Sequence, residues 1–296
     1  MRTKLSTLSV LIILLLSISL NASSKTYLKL NFKKGSIYEV TTVLNNKTVK
    51  KKFADETRVE QNMTTGLSFK VLNILPNKNF LIEYSIQKIK MNLKIGEQST
   101  SYDSESNNGN NPMNSTLKTL PNIKMELSPL GKIISMESFK FDSLVGDPEV
   151  FQLLSNLLGN GNMGSFISQM FTYFPEKKVE KGDKWTNSVK LAILMSLETK
   201  MNFELVDIEK NQLSLKITSE VDIDKQIEPE GTNANMKITG TQTGSMTVNP
   251  SDGWLRSYDL NQKFKMNMKF IDPKTKEDTD IPLFSVSDLK FTVVKK

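Results

Sequence analysis

The sequence predicts a mainly β, α+β fold: two pseudo-repeated antiparallel β-rich halves, forming sheets packed together or one long curved sheet, with a central apolar helix pair packed on the sheet. Three observations lead there. Apolar and polar residues alternate through most of the chain, similar landmarks recur in the same order in its two halves, and one stretch between the halves switches to helical spacing.

The elements follow in chain order. Met1-Arg2-Thr3-Lys4 is a short basic region, Leu5 to Leu20 is an almost continuous Leu/Ile/Val/Ser run, and Leu20-Asn21-Ala22 places small residues where a signal peptidase cuts. Residues 1–22 are expected to be a secretory signal cleaved after Ala22. The other reading is an uncleaved anchor, but the run falls short of the roughly 20 residues needed to span a bilayer. No later segment approaches that length, so no integral membrane span is expected after cleavage. Leu28, Leu30 and Phe32 then alternate with Lys29, Asn31 and Lys33. The same period of two runs through Leu67–Phe69–Val71 and through Ile89–Met91–Leu93–Ile95. It returns in Leu197–Thr199–Met201–Phe203–Leu205, Leu213–Leu215–Ile217 and Phe264–Met266–Met268–Phe270. Such strands bury one face and wet the other. Turn signals separate them at Pro76-Asn77-Lys78-Asn79, Ser128-Pro129-Leu130-Gly131, Glu209-Lys210-Asn211 and Asn249-Pro250-Ser251-Asp252-Gly253.

The repeat rests on three matched landmarks. Lys33-Lys34-Gly35-Ser36-Ile37-Tyr38 opens the first half and Glu180-Lys181-Gly182-Asp183-Lys184-Trp185 the second. Each is followed by a strand–turn–strand pair, and each half carries a Met-x-apolar-Ser/Asn-Pro string, Met125 to Pro129 and Met246 to Pro250. Between them, Asp147 suits a cap and Pro148 a first helical position, and Val150, Phe151, Leu153, Leu154, Leu157 and Leu158 follow at helical spacing. A glycine-rich link from Gly159 to Gly164 leads to a second helix, Ser165 to Phe174, ended by Pro175. Two polar loops are expected at Ser99 to Thr116 and Glu228 to Asn235. The chain thus divides into a signal (1–22), a first β-rich repeat (23–137), a central helical segment (138–175) and a second β-rich repeat (176–296).

Composition narrows the chemistry. With 0 His and 0 Cys there is no Ser-His-Asp or Cys-His triad, no Cys/His zinc site, no His-held haem and no disulfide. No cofactor and no metal site is expected. Thioether ligation of copper(I) is one use for the 14 methionines. Yet Met266 and Met268 share a strand face with Phe264 and Phe270, which marks them as apolar lining. The formal charge of +7 is mild, and Arg occurs only at Arg2, Arg58 and Arg256, so nucleic acid is not an expected partner. An exported chain of this size without cysteine fits a bacterial envelope, in the periplasm or outside the cell.

Three function classes remain. The leading one is a non-enzymatic envelope protein that binds a lipid or acyl chain in a helix-covered sheet cavity, lined by Phe151, Leu154, Leu158, Phe166, Met170, Phe171, Met266 and Met268. Flexible methionines repack at low cost around variable apolar ligands, and the helices have glycine hinges. The second is a structural or interaction module that contacts an envelope protein or a glycan through its loops. The third is a carboxylate-dependent hydrolase using Asp103/Glu105 or Asp222/Asp224, which lie two apart on strand-like segments; no catalytic residue is assigned on that ground alone.

The strings Leu28 to Tyr38, Tyr102-Asp103-Ser104-Glu105 and Phe174-Pro175-Glu176-Lys177-Lys178-Val179-Glu180-Lys181-Gly182-Asp183-Lys184-Trp185 resemble an uncharacterised family of exported proteins and lipoproteins of Gram-negative bacteria. The resemblance implies no activity and no site residues. Unlike lipidated members, this chain has no Cys after its signal. A curved antiparallel sheet under apolar helices is also similar in architecture to periplasmic lipoprotein carriers, which is an analogy of fold alone.

Overall fold

The structure, a computed structural model, describes residues 25–52, 55–106, 120–137, 162–192, 196–228, 233–271 and 276–296. The signal, the expected first helix from Pro148 to Leu158 and most of the first polar loop lie outside them. The strands are β1 (Ile37–Lys52), β2 (Asp55–Ile74), β3 (Phe80–Ile95), β4 (Gln98–Asp103), β5 (Ile123–Leu127), β6 (Ile133–Met136), β7 (Lys184–Ala192), β8 (Ser196–Glu209), β9 (Gln212–Ile227), β10 (Ala234–Val248), β11 (Leu255–Ile271) and β12 (Asp278–Lys295). Among the described residues one helix, α1 (Asn162–Gln169), lies between β6 and β7.

All twelve strands among the described residues form a single antiparallel sheet, in the order β6-β5-β3-β2-β1-β12-β11-β10-β9-β8-β7, with β4 also beside β3. This corrects the α+β expectation: nearly all of the described secondary structure is strand, and of the two arrangements expected for the halves it is the single curved sheet that forms. The halves join because β1 pairs with β12 along nearly its whole length, Tyr38 opposite Lys295 through Lys50 opposite Leu283. Two separate sheets would each have left a long strand edge unpaired, and this pairing removes both. The helix pair is overturned as well: among the described residues there is one short helix. It begins at Asn162, inside the stretch expected to be a link, and stops at Gln169, five residues before the expected end. Its last turn tightens through Met170 N–H to Ile167 O and Phe171 N–H to Ser168 O, both three residues back, and Thr172 Oγ1 donates to Ser168 O. The first polar loop is also shorter than expected, since Gln98–Asp103 pairs with β3.

The two matched openings are built alike. Gly35 (φ 83°) donates its N–H to Val71 O and Ser36 O accepts from Val71 N–H; Gly182 (φ 92°) donates to Leu205 O and Asp183 O accepts from Leu205 N–H. In each case the partner strand bulges one residue later, between Val71 and Asn73 and between Leu205 and Asp207. Positive φ is the reason both openings need glycine.

Leu28, Leu30 and Phe32 are buried as the alternation requires, yet they join no sheet ladder. This segment runs extended along one end of the core, tied by Thr26 to Val179, by Leu30 N–H to Pro129 O and by Asn31 N–H to Asp252 O. Around it gathers the main core, with Trp254 at its hub: the indole lies 4.6 Å from Tyr38, 5.3 Å from Phe69, 5.4 Å from Phe32 and 5.4 Å from Phe171, the last stacked. Twelve flat strands at about 4.8 Å spacing would span roughly 50 Å. Instead, Met125 on β5 and Phe203 on β8 belong to one cluster, and α1 lies against β7 while its Gly164 faces the Met136 side chain of β6. The sheet therefore curls until its two edge strands flank the helix.

Candidate functional site

The inner face of the curled sheet holds two apolar clusters that differ in character. The main core is aromatic and tightly interlocked. The second consists of Val221, Met236, Ile238, Phe264 and Met266, with Ile223, Ile227 and Leu283 packed against it. It lies toward the opposite ends of β9 to β12, where β10 and β11 pair Met236 with Met268 and Ile238 with Met266. Two of its five buried members, Met236 and Met266, are thioethers, which accommodate changes of shape that a stack of aromatic rings resists.

The expected lining residues divide between these regions. Phe151, Leu154 and Leu158 lie outside the described residues. Met170 and Phe171 are wholly buried in the main core, and Phe166 packs on Phe291 at 5.5 Å. Met266 belongs to the second cluster, and Met268, half-buried, lies beside it opposite Ile281. The structure therefore brings Met266 and Met268 together, and separately Phe166, Met170 and Phe171, but does not bring the two groups into one chamber.

Between the clusters runs a row of uncharged polar residues. In one continuous register, Gln61 of β2 is opposite Asn46 of β1, Asn46 opposite Ser287 of β12, Ser287 opposite Gln262 of β11, Gln262 opposite Gln242 of β10, and Gln242 opposite Ser219 of β9. Four members of the row are hydrogen-bonded, Ser287 and Gln262 to each other and Asn46 and Ser219 to groups beside the row. Ser285 Oγ donates to Asn46 Oδ1 at 2.8 Å, Asn46 Nδ2 to Thr48 Oγ1 at 3.3 Å, Ser287 Oγ to Gln262 Oε1 at 3.0 Å and Ser219 Oγ to Lys200 O at 2.7 Å. Gln242 is the exception: it is 0% exposed, and neither its Nε2 nor its Oε1 has a partner among the described residues. The sequence does hold a signal for it. Ile238, Gly240, Gln242, Gly244 and Met246 share one phase of a strand, and a glutamine between two glycines on a buried face is out of place.

A second polar feature lies at the main-core end. The Asp252 carboxylate, 4% exposed, accepts from Tyr38 Oη at 3.1 Å and from Trp254 N–H at 3.1 Å, and lies 3.7 Å from Lys295 Nζ. These residues, with Asn249, Leu255, Arg256, Val293 and Val294, line a recess of about 300 Å³. Tyr38 and Lys295 fasten the 249–254 turn to β1 and β12 through this carboxylate, and the bond from Trp254 N–H braces the turn itself, which is a structural task.

The acids weighed for hydrolysis lie elsewhere. Asp103 pairs with Lys90 at 2.9 Å and Glu105 with Lys88 at 3.6 Å, while Asp222 and Asp224 are exposed on the outer face of β9. Among the described residues no three acids are gathered as a metal site.

The titration pattern leads to one solution prediction. Lys90 holds the Asp103 carboxyl low, Asn79 and Asn77 hold Glu126 low, and Lys181 holds Asp207 low. Burial, with Asp103 beside it, pushes the Tyr102 phenol up to about 12, and burial also raises Tyr38, Tyr84, Tyr173 and Tyr258. Lowered acids contribute stability above their unfolded pKa that is lost as pH falls. Raised phenols contribute stability below about 10 that is lost as pH rises. With neither His nor Cys to titrate between, the Tm is expected to stay level within a few degrees from about pH 5.5 to about pH 9, and to fall on either side. Thermal scans by circular dichroism across that range check it, and a slope centred near neutrality contradicts it.

The comparisons with known proteins come from one family and a few structures. Residues 77–255 match the model of a family described as a family of unknown function, DUF6263. No curated protein matches. Among solved structures the chain is similar to an outer membrane channel of Pseudomonas putida F1, at 8% identity and a TM-score of 0.22, covering 90% of this chain and 97% of that one. It is similar to the OccK5 protein of Pseudomonas aeruginosa at 6% identity and a TM-score of 0.22, covering 88% and 98%. Scores this low settle neither fold nor function. Among the described residues no helix is long and apolar enough to cross a membrane. The outward positions of β9 to β12 carry exposed Lys216, Glu220, Asp222, Lys237, Asp259, Lys263, Lys265 and Lys290, where a membrane-spanning barrel presents an apolar band to lipid.

Proposed function

The chain belongs to DUF6263, a family of unknown function, and from its own residues we propose that it is an exported, non-enzymatic protein of the cell envelope that binds a lipid or acyl chain along the inner face of its sheet. The observation that carries this reading is the second cluster. A main core of interlocked aromatics already supplies the fold with its centre, and beyond the polar row the same sheet face continues with Met236, Met266 and Met268 beside Ile238, Val221 and Phe264. Unbranched thioethers fit an alkyl chain of varying length and unsaturation without a fixed rotamer. The export part of the reading rests on Met1 to Ala22.

The test is native mass spectrometry of the mature protein taken from its host's envelope fraction without detergent, followed by solvent extraction. Mass beyond the polypeptide that extracts as lipid is the expected result. A fluorescent fatty-acyl probe should then bind the stripped protein, and Met236→Ser with Met266→Ser should weaken it about tenfold or more while the β-sheet circular dichroism is kept. A protein that is bare as isolated and that ignores acyl probes overturns this reading and turns the search to protein or glycan partners of the loops.

A further inference from the structure

We propose that the polar row gives this face its chemical selectivity, with Gln242 hydrogen-bonding a neutral group of the bound acyl ligand that both donates and accepts, an amide linkage or a hydroxyl. The inference rests on the acyl-binding reading and names which acyl ligands fit.

A primary amide offers two donor hydrogens and two acceptor lone pairs. Buried polar groups in folded proteins are nearly always bonded, and a side chain with neither end satisfied calls for an explanation. Here the rest of the row shows that the sheet can satisfy such groups: Asn46 is bonded to Ser285 and Thr48, Gln262 to Ser287, and Ser219 to a main-chain carbonyl. Gln242 lies directly opposite Gln262 and Ser219 and has no bond to either. Methionine or leucine would fill the same space at no polar cost, so an orphaned glutamine works against the fold unless something else completes it.

The surroundings fix the kind of group. On the main-core side the adjoining register row is Leu44, Leu289, Leu260, Gly244 and Ile217. On the other side it is Thr48, Ser285, Phe264, Gly240 and Val221. Neither row holds a lysine or an arginine, so a phosphate or carboxylate would enter without a countercharge, which is strongly unfavourable away from water. A neutral amide or hydroxyl meets both ends of the glutamine and needs none. The two glycines on either side of Gln242 have no side chains of their own, and what lies over them comes from β11: a Cβ at Gly240 would meet the Phe264 ring and one at Gly244 the Leu260 side chain. Gln242 is thus framed by an aromatic and an aliphatic side chain, with the methionine cluster beginning one residue row beyond, where Ile238 is opposite Met266. A chain lying on the methionines would bring its polar end to the glutamine.

The experiment measures the affinity of three probes of equal chain length for the stripped mature protein: a primary fatty amide, a fatty acid held ionised at pH 8, and the parent hydrocarbon in a dispersed form. The intact protein should prefer the amide to the hydrocarbon by about tenfold or more, and to the ionised acid by a similar margin. In Gln242→Met the amide preference should collapse toward unity, and the variant should melt a few degrees higher because an unsatisfied amide has gone. Thr243→Val, at an outward-facing exposed position, should leave the preference as it was. Equal binding of amide and hydrocarbon by the intact protein, or an unchanged preference in Gln242→Met, overturns the role of Gln242 while acyl binding stands. Binding of none of the three overturns both.

Discussion

Trp254→Ala is expected to lower the unfolding free energy by about 3–5 kcal/mol, the usual cost of deleting a buried aromatic from a well-packed site. The position is unusually committed. Trp254 is 1% exposed, and its indole touches rings from four places in the chain: Phe32 before the sheet, Tyr38 on β1, Phe69 on β2 and Phe171 after α1. Three of these are held from following the vanished ring inward. Tyr38 is tied to Asp252, Phe171 sits on a backbone that approaches Gly131 closely, and Phe32 lies on an extended segment fastened at Leu30 and Asn31. A cavity that cannot collapse keeps its full cost. The contrast with Trp254→Phe is informative, because the indole Nε1 is buried without a partner among the described residues. Phenylalanine keeps most of the ring contacts and removes that orphan donor, so its cost should be about 1–2 kcal/mol. Urea unfolding followed by circular dichroism, which does not depend on the tryptophan signal, separates the two. A loss under about 1 kcal/mol for the alanine variant would show that Trp254 is not the hub of the core.

Much of the chain's local structure is legible in its residues, and the reason is that local rules act over a few positions. Alternation at Leu67–Phe69–Val71 or Phe264–Met266–Met268 marks an inward face, and the turns at Ser128 to Gly131 and Asn249 to Gly253 fall between strands, with Gly131 at φ 77° and Gly253 at φ 72°. What alternation does not specify is the partner. Leu28, Leu30 and Phe32 have the pattern of a strand and are extended with one side buried, yet their neighbours are turns and an aromatic cluster rather than a ladder. The apolar spacing from Ser165 to Phe174 suits a helix, and the tertiary packing of Phe171, Tyr173 and Phe174 ends it at Gln169. The polar row is illegible for the same reason. Asn46 and Gln61 are close in sequence, but Asn46 meets Ser287 only because the first and last strands pair, and no local signal announces a contact across that separation. Once register is known, five unremarkable residues and the misplaced glutamine become a single feature, and Gln242 stands out because its neighbours in the row are bonded and it is not.

Removal of residues 23–33 from the mature protein is expected to abolish cooperative folding. Leu28, Leu30 and Phe32 are each almost completely buried in the main core. At about 1.5–3 kcal/mol for each large apolar side chain taken from water, their loss is roughly 5–9 kcal/mol, within the range of the whole stability of an ordinary domain. The damage extends past their own surface. Phe32 covers Tyr38, Phe80 and Trp254, and Gly253 has positive φ and no Cβ because the Lys29 main chain passes directly against it. The Pro129 and Asp252 carbonyls lose the donors at Leu30 and Asn31, and Val179 loses both of its bonds to Thr26. Each lost contact belongs to a different loop, so the segment acts as the piece that locks the 128–131, 170–180 and 249–254 regions to one another at the closed end of the curled sheet. The truncated chain should keep strand content by far-ultraviolet circular dichroism, lose its near-ultraviolet signal and bind a hydrophobic dye, the signature of a sheet without fixed packing. Tyr27→Ala changes a side chain of the same segment that is 42% exposed and should melt close to the intact protein. If the truncated protein melts cooperatively within a few degrees of the intact one, the N-terminal segment is an ornament on a core that is complete without it, and the lock must be sought in the 170–180 region instead.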